Sequence, residues 1–122
     1  MSDNVLDKFG KVLMESVRDR TISNWDMILN GKMKGLSAQH VREKIVDFDE
    51  EKIEVLKWII PKIVDVGLHN FLVMIEDNNI NVEVVSNDKK GNIRELSDGL
   101  AGELYTEDGW ISRFSKERYE EI

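Results

Sequence analysis

The chain has no cysteine, a single proline and two histidines, His40 and His69. Without cysteine there is no disulfide framework and no thiol nucleophile, and a zinc site would need unusual carboxylate-rich ligation. No P-loop, Rossmann fingerprint, nucleophile elbow or zinc motif occurs, so no cofactor is expected. Asp77, Asn79 and Asn81 imitate the first side-chain positions of a calcium loop. Val82 stands where that loop needs glycine for its sharp turn and Asp88 where it needs a bidentate glutamate, so no metal is expected either.

Positive charge is also scarce. Seventeen Lys and Arg face twenty-four Asp and Glu, a formal charge of -7, and the basic residues are mixed with acidic ones instead of gathered into a patch. Such a surface repels a phosphate backbone, which argues against nucleic acid, and suits a basic protein partner. The start MSDNVLDKFG has neither the basic beginning nor the apolar run of a secretory signal, which makes the cytoplasm the expected compartment.

What is present in quantity is one long apolar periodic stretch, residues 48–78. Ile53, Leu56, Ile60, Ile63, Gly67, Phe71 and Met74 recur at steps of three or four, the spacing of one helix face. Val55, Ile59, Val66, Leu68, Leu72 and Val73 widen that stripe, which predicts a central helix contacted from several sides. Asp47 and Glu50 have capping-box spacing at its start. Pro61 has no N–H to offer the carbonyl of Lys57, so the helix is expected to continue with a kink. Lys57, Lys62, Asp65 and Glu76 interrupt the apolar run, and no membrane crossing is expected.

Before this helix, Val5, Leu6, Phe9, Val12, Leu13 and Val17 predict a first helix to about Arg20, capped by Ser2 or Asp3. Ser23 and Asp26 suggest a capped second helix through Leu29, and Ser37 a third that turns Val41, Ile45 and Phe48 inward. Methionines 14, 27 and 74 are expected to fill the core. After Asn79 the alternation of Ile80, Val82 and Val84 predicts a strand, residues 87–92 a polar turn, and Ile93 to Leu96 the returning strand. Asp98–Gly99 and Asp108–Gly109 mark turns in the tail, and Leu100 to Tyr105 and Trp110 to Phe114 fit short helical turns, with strand as the alternative for each. Trp110 is expected to anchor the tail, and the final KERYEEI to fray.

The fold class is therefore α+β and predominantly α-helical. The expected architecture is a single domain: an irregular helical bundle (1–78) around a long kinked helix, a β-hairpin (79–96) and a packed tail (97–122). The segments LHNFLVMIE and DGLAGELYTEDGWISRFS resemble stretches of small, functionally uncharacterised bacterial proteins. That resemblance implies no activity and carries no catalytic residue to any position.

Two polar constellations remain. Asp65, His69 and Glu76 fall with Lys62 along one side of the long helix, where Asp65 could orient His69 and Glu76 could accept a proton. The same residues would equally serve as the solvated side of a partly exposed helix. Asp98, Glu103, Glu107 and Asp108 accompany Trp110 and Arg113 in a glycine-punctuated stretch suited to partner or ligand binding, or simply to turns with solvated acids. The expected function is a small acidic interaction protein without catalysis, such as an immunity-type antitoxin binding a basic protein. The alternative is a small-molecule-binding protein or acid–base enzyme built on the Asp65, His69, Glu76 seam.

Overall fold

A computed structural model describes residues 4–118. The chain starts with α1 (Val5–Leu13), runs without interruption through a π-helical turn (Met14–Asp19) and continues as α2 (Arg20–Leu29). Asn4 caps α1 by accepting the Asp7 N–H at 2.7 Å, while Ser2 and Asp3 lie outside the described residues. The two helices expected at the start are thus one helical run. Ser23 caps nothing, because the helix passes through it.

The π turn explains the difference. Its wider winding rotates later side chains relative to the α-helical phase, so Val17, expected inside, is exposed and Arg18 is fully buried; Val12, ahead of the turn, is exposed as well, and Met14 is fully buried.

Gly35, at φ 120°, leads into α3 (Leu36–Lys44), so Ser37 sits inside the first turn instead of capping it. Arg42 donates to the Met33 carbonyl at 2.8 Å and ties α3 to the preceding loop. Ala38 is the buried residue of α3; Val41 and Ile45 are half-buried and Phe48 is exposed. Asp49, not Asp47, caps α4 (Glu50–Asp77), accepting the Lys52 N–H at 2.9 Å. The 28-residue helix is continuous through Pro61, which is buried.

After α4 come β1 (Glu83–Ser86) and β2 (Lys89–Asn92), antiparallel, with Ser86 opposite Lys89. The turn is only Asn87–Asp88, and Asn87 adopts φ 57°, the left-handed region that asparagine tolerates. The return strand is therefore the Lys89–Asn92 segment expected to be turn. The Ile93–Leu96 segment expected to be strand is instead a helical turn, α5, begun by the Asn92 side chain accepting the Arg94 N–H at 2.9 Å. A 3₁₀ turn (Ala101–Leu104) and α6 (Trp110–Phe114) complete the described tail.

The core lies at the C-terminal half of α4. Leu68, Leu72 and Ile75 meet Leu13 and Met14 on one side and Ile93, Leu100, Leu104, Trp110 and Ile111 on the other. Trp110 is fully buried, edge-on to Phe9 with ring centroids 6.0 Å apart. Gly10 makes room for it, since a Cβ there would stand 2.3 Å from the indole Cε2. The tail closes this end of the molecule.

Candidate functional site

The N-terminal two thirds of α4 behave differently. Here α4 packs on α2, and the side turned away from the fold carries a row of bare apolar side chains. Val55, Val66 and Ile63 are 56%, 59% and 63% exposed, accompanied by Trp58, Ile59 and Met74. The helix was expected to be covered from several sides, and this face is not covered. Burying apolar side chains of this size is worth about 1.5–3 kcal/mol each, which makes a contiguous row left in water the candidate surface of this fold.

By length and composition alone α4 is long and apolar enough to cross a membrane, yet only 28% of its most apolar window is buried. The apolar residues are not there merely to fill the core. Asp65, halfway along, is held in an ion pair with Arg18, which fastens this helix to the first one.

Beside the exposed row, α2, α3 and α4 diverge to leave an open groove of about 500 Å³. Trp25 and Leu29 form one wall, Val41 and Ile45 a second, and Ile60 and Ile63 a third. Ile63 belongs to both the groove and the outer face, so the two surfaces are continuous. Acidic residues cluster at the entrance to α4, where Asp47, Asp49, Glu50, Glu51 and Glu54 are all exposed. Met27, expected inside, is likewise exposed, and Met14 is the buried member of the set.

The Asp65, His69, Glu76 seam is on one side of α4 as the spacing implied, but each member has its own partner. Asp65 is bound by Arg18, with Nε at 2.6 Å from Oδ1 and Nη2 at 3.2 Å from Oδ2. His69 Nδ1 lies 3.1 Å from the Tyr105 hydroxyl. Glu76 accepts the Ala101 N–H at 3.3 Å. Burial raises the Tyr105 phenol above its ordinary range, and the negative charge of Asp65 adds to the effect. These contacts join α4 to the first helical run at Asp65 and to the tail at His69 and Glu76.

The tail constellation is divided in the same way. Trp110 is in the core, Glu103 accepts the Ser97 hydroxyl at 2.7 Å, and Asp98, Glu107 and Asp108 are exposed. Arg113 forks onto Asp7 of α1 at 2.9 and 3.3 Å. That hydrogen-bonded carboxylate raises the guanidinium pKa further, against a smaller opposing effect of burial. Among the described residues no group of three or more His, Asp or Glu side chains could hold a metal ion.

Arg18 escaped the sequence reading. Its side chain is 1% accessible and donates to Asp65, to the Ser115 hydroxyl at 2.6 Å, to the Glu117 carbonyl and to the Arg118 carbonyl at 3.0 Å. Arg118 in turn forks onto Asp26 at 2.9 and 3.0 Å. The beginning of the segment expected to fray is therefore held; residues 119–122 lie outside the described range. No family model, curated protein or solved structure matches this chain.

Proposed function

We propose that the protein is a non-catalytic interaction protein whose binding surface is the outer face of α4 together with the groove between α2, α3 and α4. The observation that carries this reading is the row Val55, Ile59, Ile63 and Val66, exposed on a helix whose opposite side puts Leu68, Leu72 and Ile75 into the core. A fold gains nothing from such a row on its own.

The acidic balance adds a second element. Five exposed carboxylates, Asp47, Asp49, Glu50, Glu51 and Glu54, stand at the start of α4, and they would speed the approach of a partner with a basic rim around an apolar centre. This keeps an immunity-type role, with a basic protein as target, among the forms the function would take. An acid–base enzyme receives less support, because Asp65, His69 and Glu76 are each engaged by a different group.

Paired retention experiments test the reading. The wild-type chain and Val66→Asp, immobilised at equal density, are exposed to extract from the source cell. A stoichiometric partner held by the wild type and lost from a Val66→Asp chain of unchanged fold is the expected result. Equal retention by both chains, or a partner lost only on substitution of the tail acids, would move the surface elsewhere.

A further inference from the structure

We propose that the outer face of α4 is covered by a second copy of this chain, the two α4 helices lying antiparallel about a twofold axis beside the Val64–Asp65 step. The proposal rests on the reading of this face as an interaction surface and names its occupant. Along the face, positions at equal distances from that step are complementary. Lys52 is matched by Asp77, Val55 by Met74 and Ile63 by Val66, and all six are exposed. A twofold arrangement makes every such contact twice.

Charge decides the direction. At 100° per residue Lys52 and Asp77 are the charged residues on this side of α4, one near each end, while Glu50, Glu51 and Glu54 of its acidic start fall on other sides of the helix. Antiparallel packing sets lysine against aspartate at both ends of an apolar row that spans ~38 Å at 1.5 Å per residue. Parallel packing would set like charges together. The overall charge of -7 on each chain opposes approach, but at physiological salt it is screened beyond about 8 Å.

Gly67 supplies an independent argument. It is exposed next to the axis, and a Cβ built on it would meet nothing within 4 Å. Nothing among the described residues requires glycine at this helical position, where it weakens the helix. A second helix packed closely at the axis does require a small residue there.

Sedimentation velocity of the full chain at physiological salt, between roughly 1 and 300 µM, tests the proposal over the range in which a modest interface associates. The expected result is a reversible monomer–dimer equilibrium. Lys52→Asp should weaken it by roughly two- to thirtyfold in Kd, since two exposed ion pairs are lost, and Lys52→Asp with Asp77→Lys should recover most of that loss. Because the chain has no cysteine, single cysteines report direction. Val55→Cys mixed with Met74→Cys should form a disulfide-linked dimer on mild oxidation, and neither alone should. Cross-linking of Val55→Cys with itself, or a wild-type chain that stays monomeric throughout, would overturn the proposal. If that monomer still holds a different protein through Val66, the interaction surface stands and the second copy falls; if Val66→Asp changes nothing, both fall. Flotation of the wild type with neutral phosphatidylcholine vesicles, lost in Val66→Asp, would give the face to a lipid surface instead.

Discussion

Arg18 and Asp65 form a two-pronged ion pair, Nε to Oδ1 at 2.6 Å and Nη2 to Oδ2 at 3.2 Å, that joins the π turn of the first helical run to the middle of α4. The arginine is sealed from solvent and its remaining donors hold Ser115 and the carbonyls of Glu117 and Arg118. One side chain therefore fixes three segments. Removing one partner of a buried pair leaves the other without compensation, which is far costlier than losing an exposed pair.

Arg18→Ala should destabilise the protein by about 3–5 kcal/mol, measured by denaturant unfolding, and should speed amide exchange at residues 115–118. Asp65→Ala should cost less, because its carboxylate keeps partial access to water. In a double-mutant cycle the two should be strongly non-additive. Additive losses would mean that the pair is not the joint described.

Trp110→Ala should cost about 3–5 kcal/mol, the range for emptying a large aromatic site in a core. Gly10→Ala attacks the same contact from the other side, since its Cβ would stand 2.3 Å from the indole. Overpacking of this kind costs about 1–3 kcal/mol. Thermal unfolding of both variants checks the assignment of Trp110 to the core. Unchanged stability of Trp110→Ala with lost partner binding would contradict it.

The burial of the Tyr105 phenol near Asp65 has a signature in pH. The folded phenol has a raised pKa, so on raising the pH the unfolded chain loses this proton first. Stability should be unaffected below the ordinary tyrosine range and should fall from there up to the folded pKa. Tyr105→Phe should abolish that part of the decline, and absorbance titration should show a late-ionising phenol missing from the variant. A Tyr105 that ionises in the ordinary range would contradict that burial.

How much of this was legible in the sequence depends on the range of the contacts involved. The long helix was read as residues 48–78 and is Glu50–Asp77, because caps and a 3.6-residue period are local signals. The burial of Trp110 was also legible, whereas the choice between helix and strand in the tail was not, since segments of four or five residues are too short for a period to decide. The join between α1 and α2 was not, since a π turn shifts phase without any marker residue, and the shift is what turned Arg18 inward and Val17 outward. The hairpin slipped because Asn87–Asp88 alone makes the turn, so Lys89–Asn92 became strand despite its polar composition. The seam residues were correctly placed on one side of α4, but their partners Arg18, Tyr105 and Ala101 lie 25 or more positions away, beyond anything periodicity reports. The exposed row of α4 was taken for core, because an apolar period does not say whether the chain itself or another molecule covers it.

Gly67→Ala separates those two coverings by sign. At an exposed helical position with open space, alanine should raise monomer stability by about 0.5–1 kcal/mol. The same methyl should weaken association of the chain with its second copy. Unfolding at low concentration reads the first effect, and sedimentation at high concentration the second. A gain in both would remove Gly67 from the interface.

The most direct test of the account is Ile63→Asp, measured for unfolding free energy and for self-association on the same sample. Ile63 is 63% exposed at the centre of the row. Its replacement should leave monomer stability within about 0.5 kcal/mol of wild type, as for surface positions generally, and should abolish the dimer. A loss of more than about 2 kcal/mol, the size expected for emptying or charging a core site, would show that Ile63 serves the fold itself, and an undiminished dimer would show that the outer face of α4 is not the surface this protein uses.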